Sequence, residues 1–261
     1  MIQNRNFFFD LAASGFRWTL VGLVTLILFF PTFITYLVLS PFDRDLKRVH
    51  PLISFWAKAI LVVCPLMKVH LEGAENLKPK GTYVLVANHQ SIADIIAVLH
   101  LSLPFKFIAK QELFWIPILG WSLWLARYIP LVRGDRISAK RALEQASGYL
   151  KRGISVLLFP EGTRSPHGEI QDFKAGAFKL AQEVGVPIVP IVIHGTRDLL
   201  PKGSRLLARR VKVIVKVGLP QEPSEKNNFS VESFSDQIRE EMIQSLKSVR
   251  SRFKTTELIA T

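Results

Sequence analysis

The chain of 261 residues has a single cysteine, Cys64, so no disulfide can close within it. One thiol also leaves no cysteine-based zinc site, and the six histidines show none of the His-Glu-x-x-His spacing of a helical metal centre, so neither a metal nor a resident cofactor is expected. No Gly-x-Ser-x-Gly elbow is present, which removes the usual nucleophile of a serine hydrolase. Acids are scarce: 21 Asp and Glu stand against 34 Lys and Arg, for a formal net charge of +13. Such a chain calls for an anionic partner. Zinc-finger and RNP-like motifs are missing and 49% of residues are hydrophobic, so anionic lipid fits better than nucleic acid. Internal repeats and low-complexity tracts are also lacking.

What the chain has in quantity is apolar length near its amino terminus. Leu20 to Leu39 is uncharged over 20 residues, about the length needed to cross a hydrocarbon core, and no small-residue cleavage site follows it. A second apolar segment runs from Leu52 to Met67, interrupted only by Lys58. Pro31 predicts a kink in the first. Arg5 and Arg17 lie before that segment and Arg44, Lys47 and Arg48 after it, and cations on both flanks disfavour one simple span. The expectation is a helical pair that dips into one leaflet and returns, with a single transmembrane anchor and a buried soluble-core helix as alternatives.

Seven short β-rich runs follow: 68–73, 82–87, 105–109, 128–133, 154–159, 187–193 and 211–217. Helical patterns over 92–101, 138–151 and 173–184 separate several of them. The alternation predicts an α/β fold with a mostly parallel or mixed central sheet of about seven strands flanked by helices. The expected organisation is a membrane-associated two-helix element over 1–67, an α/β domain over 68–220, and a polar linker with a solvent-facing carboxy-terminal helix (230–252) over 221–261.

Three of the runs end in chemistry. Asn88-His89-Gln90-Ser91-Ile92-Ala93-Asp94 places a histidine and a carboxylate at a strand-to-helix junction. If the turn folds His89 back, Asp94 can fix its tautomer and leave the far nitrogen free to take a proton. Ser91 with an acid three residues on is equally a capping box, which would make Asp94 a helix starter. The 128–133 run ends in Arg133, a permanently charged phosphate binder, and the 154–159 run leads into Pro160-Glu161-Gly162-Thr163-Arg164-Ser165. Open α/β sheets hold ligands at that edge. Glu161 could contact a substrate hydroxyl or hold Arg133 by a salt bridge.

These blocks, with Val186-Pro187-Ile188-Val189-Pro190-Ile191 as a fourth, resemble those of the glycerolipid acyltransferases, above all the 1-acylglycerol-3-phosphate acyltransferases, over roughly 68–195. The resemblance implies that His89 deprotonates the acceptor hydroxyl, that Asp94 orients His89, and that Arg133, Glu161, Gly162, Thr163 and Arg164 line the acceptor site. Lys110, in Phe107-Ile108-Ala109-Lys110-Gln111-Glu112-Leu113, is then a second cation. The family usually has Gly where this chain has Arg127. The implied reaction moves a fatty acyl group from acyl-CoA or acyl carrier protein to a lysophospholipid, with phosphatidic acid as product, at the cytoplasmic face of the inner (plasma) membrane. Membrane phospholipids are the implied surroundings. A non-catalytic, basic lipid-binding protein of the same fold, or a transferase for another lysophospholipid, is the alternative.

Two further features have two readings each. Trp115, Trp121 and Trp124, in an apolar stretch from Glu112 to Arg127, belong either to the core or to a face against membrane or acyl chain. Arg205, Arg209, Arg210, Lys212 and Lys216, around a half-exposed strand, are either a lipid-facing patch or a solvated face. His70 and His100 read as packing or surface residues, His167 as part of a turn, and His194 as bordering the cleft.

Overall fold

The computed structural model describes residues 7–200, 203–204, 206–207, 210–223 and 230–259. Arg205 and Arg209 lie outside them. Helix α1 (Phe7–Leu39) continues through Pro31 without interruption. Three of its four threonines bond within the helix: Thr19, Thr25 and Thr32 donate to the carbonyls of Gly15, Val21 and Leu28, four residues back. A connector with a tight turn at Lys47–Val49 leads into α2 (His50–Val63). The Trp56 indole N–H of α2 donates to Thr25 Oγ1 of α1 at 3.0 Å.

The α/β portion then runs β1 (Met67–Glu72), β2 (Val84–Ala87), α3 (Ala93–Val98), β3 (Phe105–Lys110), α4 (Leu119–Leu125), β4 (Ile129–Leu131), α5 (Arg136–Lys151), β5 (Ser155–Leu158), α6 (Gly176–Val184), β6 (Ile188–His194), α7 (Thr196–Leu199), β7 (Val211–Val217) and α8 (Val231–Ile259). The strands form one seven-stranded sheet in the order β1-β7-β6-β2-β5-β3-β4. From β2 to β6 all five strands are mutually parallel; β7 runs antiparallel to β6, and β1 parallel to β7, so the sheet is mixed. Each predicted strand is present, with ends shifted by two residues at most.

Strand alternation sends neighbouring side chains to opposite layers. Leu85, Phe105, Phe107 and Leu157 join the α2 and α3 side chains in one core, whereas Val84, Val86, Val156 and Leu158 join those of α5, α6 and α8 in the other. Two expectations change. The carboxy-terminal helix is not solvent-facing, because Phe234, Ile238, Met242, Leu246 and Val249 are buried. β7 is an interior strand in which Val213, Ile214 and Val215 are all buried, since it lies between β1 and β6.

The apolar stretch from Glu112 to Arg127 divides into a tight turn at Gln111–Trp115 and α4, because Ile118 takes a left-handed backbone (φ 67°) just after Pro117. The connector between α1 and α2 is held to the sheet's lower end by Arg152, which donates to both carboxylate oxygens of Asp45 (2.8 and 3.0 Å).

Candidate active site

Every polar motif leaves the carboxyl end of a parallel strand: His89 follows β2, Lys110 ends β3, Arg133 follows β4, Glu161 follows β5 and Thr196 follows β6. They therefore gather at one edge of the sheet.

The turn after β2 brings His89 and Asp94 together, with Nδ1 2.7 Å from Asp94 Oδ2. Asp94 is wholly buried, and the same oxygen accepts the amide N–H groups of Gln90 (2.7 Å) and Ser91 (2.9 Å). Its other oxygen accepts from the Thr196 hydroxyl. An oxygen already engaged as an acceptor toward two amides selects the tautomer with the proton on Nδ1, leaving Nε2 as a base. The capping reading holds as well: Asp94 reaches back to the Ser91 amide, and Ser91 Oγ accepts from Ala93 N at 3.3 Å. One carboxylate starts the helix and orients the imidazole. The ring stacks on Phe159 with centroids 4.2 Å apart, so its plane is fixed from the side as well.

Glu161 departs from expectation. It is buried, and both its oxygens are used within the protein: Oε1 accepts the His89 amide (2.8 Å) and Oε2 the Gln171 amide (3.2 Å). It holds the backbone of the histidine, and no ion pair between it and Arg133 is present among the described residues. Burial pushes its carboxyl up to about 7, the nearby Asp94 charge adding to this and the two amides opposing it. On the other side of His89, its carbonyl accepts from Ser165 N at 2.8 Å.

The cations are nearer the surface. Arg133 is exposed; partial burial first, and then the Arg164 charge close by, lower its pKa, so the two guanidinium groups share one neighbourhood. Thr163 and Arg164 are half-buried in the loop after β5. Lys110 is ion-paired with Glu112 at 2.9 Å, which offsets part of its charge. Gly162 has φ 69°, and a Cβ there would come within 2.7 Å of Lys174 Nζ. Lys174, which the motifs did not single out, thus adds another cation at this edge. Two uncharged residues that the motifs did not single out also take part: Thr196 bonds to Asp94, and Gln171 to Glu161. His194, at the end of β6, is half-buried, and burial lowers its pKa. Among the described residues no group of three or more His, Cys, Asp or Glu is placed to hold a metal ion.

The Arg127 departure has a backbone cause. Arg127 sits at φ 53°, a conformation that glycine adopts without steric cost and other residues at roughly 1–2 kcal/mol. Its carbonyl accepts from the Tyr149 hydroxyl at 2.8 Å, which fixes the turn. The substitution lies in the turn before β4.

Beside the turn lies an open apolar cavity of about 370 Å³, lined by residues of α1, α2, α3 and α4. Ile92 and Ala93, immediately before Asp94, form part of its wall; Phe29, Trp56, Ile96 and Leu123 form others. The outer surface of the same helices is apolar too. Phe16, Ile27, Phe30 and Ile34 of α1 are exposed, as are Trp115, Trp121 and Trp124, and 10–39 is long and apolar enough to cross a membrane. A soluble-core helix would bury that face, and the tryptophans belong to the surface rather than the core.

Residues 68–194 match the family model described as Acyltransferase. A 1-acyl-sn-glycerol-3-phosphate acyltransferase of Chlamydomonas reinhardtii is 39% identical over 224 residues, covering 83% of this chain and 65% of that protein. A chloroplastic 1-acyl-sn-glycerol-3-phosphate acyltransferase of Arabidopsis thaliana is 40% identical over 185 residues, covering 70% and 51%. The chain thus spans between half and two thirds of the length of these curated relatives. The crystal structure of the 1-acyl-sn-glycerophosphate acyltransferase PlsC from Thermotoga maritima superposes with a TM-score of 0.69 at 31% identity, covering 90% of this chain and 98% of that one. With a family model on the motif-bearing strands and a solved member matched over nearly its whole length, the chain belongs to the acyltransferase family.

Proposed function

We propose that the protein transfers a fatty acyl group from an acyl thioester to the free hydroxyl of 1-acylglycerol-3-phosphate, giving phosphatidic acid. The observation that carries this reading is the His89–Asp94 pair, 2.7 Å apart at the sheet edge where the motifs gather, with Ile92 and Ala93 of the same turn lining an apolar cavity. His89 Nε2 takes the hydroxyl proton as the oxygen attacks the thioester carbonyl, and Asp94 stabilises the imidazolium that forms. The tetrahedral intermediate collapses by breaking its carbon–sulfur bond, and His89 returns the proton to the departing thiolate. No covalent acyl-enzyme is required.

Arg133, Arg164 and Lys174 bind the acceptor's phosphate at the sheet edge, with Lys110 beside them. Acyl-CoA and acyl carrier protein both serve as thioester donors in this reading, and the apolar cavity takes a chain. Helices α1 and α2 hold the site against the cytoplasmic face of the cell membrane. At 14 residues α2 is about 21 Å long, short of the roughly 30 Å hydrocarbon core, which supports a pair entering one leaflet. A transfer assay offering mixed lysophospholipids with both donor types tests the reading. Phosphatidic acid formed from 1-acylglycerol-3-phosphate is the expected product. Transfer only to another lysolipid overturns the acceptor assignment, and no transfer at all favours a lipid-binding role.

A further inference from the structure

Helix α8 lies far along the chain from every motif, yet it touches the loop that surrounds His89. Arg239 Nε donates to the Gln171 carbonyl at 2.9 Å, and another of its nitrogens lies 3.5 Å from the Ile170 carbonyl. Arg250 donates to the Gly168 carbonyl at 2.7 Å and to Glu169 at 2.6 Å. The two arginines are eleven positions apart, about 20° out of register on an ideal helix, so they share one face. That face borders the one carrying Ile238, Met242, Leu246 and Val249, which roots α8 in the core.

The loop they grip is the loop that fixes the base. Gln171 N donates to Glu161, and Glu161 accepts the His89 amide. Ser165 N donates to the His89 carbonyl, and Ser165 Oγ accepts from Gly168 N at 2.9 Å. Gly168 also accepts from the Gln90 side chain at 3.1 Å, next to His89. Each arginine is thus joined to a peptide group of His89 by three hydrogen bonds through two intervening residues. Surface ion pairing explains little of Arg239's placement, because Asp172, the acid 3.1 Å away, has a side chain 99% exposed, where a pair contributes little.

We propose that Arg239 and Arg250 are positioning residues, which clamp the 165–172 loop so that it holds His89 in place for proton transfer. This rests on the reading of His89 as the base.

The test uses full-length protein with Arg239→Met, Arg250→Met, the double variant, and the matching Arg→Lys variants. Transfer to 1-acylglycerol-3-phosphate is measured as kcat and as KM for each substrate, alongside melting temperature. His89 is followed separately by its rate of carbethoxylation with diethyl pyrocarbonate, read by mass spectrometry. A misplaced catalytic group of about 1 Å costs on the order of 100-fold, so kcat of the double variant should fall between about 10- and 100-fold. KM for both substrates should stay within about twofold, His89 should react faster, and lysine should restore part of the loss. Unchanged kcat and an unchanged His89 reaction rate would overturn the clamp. So would a loss that merely follows melting temperature. If the wild type transfers no acyl group, the enzymatic reading fails on its own, while the His89 modification rates still decide whether the arginines hold the loop.

Discussion

The side-chain amide of Asn88 makes both backbone hydrogen bonds of Ile193: Nδ2 donates to its carbonyl at 3.0 Å and Oδ1 accepts its N–H at 2.7 Å. A side chain thereby continues the β2–β6 ladder one step past the end of β2, and the main chain is free to turn at His89. Asn88→Ala leaves two buried backbone groups of Ile193 unpaired, at about 1–3 kcal/mol each. Thermal unfolding should show that loss together with lower activity. A variant that melts with the wild type would mean that the staple is dispensable.

His89→Ala should fold and lose about 10² to 10⁴-fold in kcat, the usual contribution of a general base. Circular dichroism and melting temperature establish the fold, and initial rates give the loss. Retention of more than about a tenth of wild-type turnover would remove His89 from the chemistry.

For Arg133→Ala, the acceptor and the donor should separate. Loss of a charge-assisted contact to phosphate raises KM for 1-acylglycerol-3-phosphate by about 10-fold or more while donor KM holds. Equal weakening of both in steady-state titrations would place Arg133 outside the acceptor pocket.

Glu161 makes stability depend on pH in a stated direction. Its carboxyl stands at about 7 in the folded chain against an ordinary 4.5, so the folded state binds this proton more tightly than the unfolded state. Nothing is lost below about pH 4.5, stability falls as pH rises toward about 7, and the decline then levels off. Glu161→Gln cannot ionise, so the wild-type melting temperature relative to this variant should decline across that interval. A relative melting temperature that rises there would contradict the burial effect.

The helical pair predicts extraction behaviour. Protein held by charge alone leaves a membrane in high salt, because screening acts over about 8 Å at physiological ionic strength. With the exposed apolar face of α1 inserted, the protein should stay with membranes through salt and carbonate washes and be released by detergent. In sealed, right-side-out vesicles, external protease should leave the amino terminus intact. Cleavage before residue 20 would replace the returning pair with a single span.

Much of this fold was legible because its strands are short apolar runs bounded by turn residues. The His89–Asp94 pairing was legible as a possibility; its geometry required the turn itself. What escaped the sequence was whatever depends on distant partners. Glu161 looked like a ligand because it lies in a motif, but its partner amides are those of His89 and Gln171. Thr196 carried no signal, since its bond to Asp94 spans 102 positions. The carboxy-terminal helix looked solvated because its many charges mask a regular buried face from Phe234 to Val249.

The parallel arrangement of β2 to β6 also divides the molecule into a working edge and an idle one. Turns at 101–104 and 185–187 sit on the idle edge, where Gly185 has open space around it but holds a left-handed φ of 72° that a side chain would strain. That turn lies one seven-residue strand, about 23 Å, from the edge where the motifs gather. A reporter or affinity handle inserted beside Gly185, with the glycine itself kept, reaches solvent without crossing the chemistry.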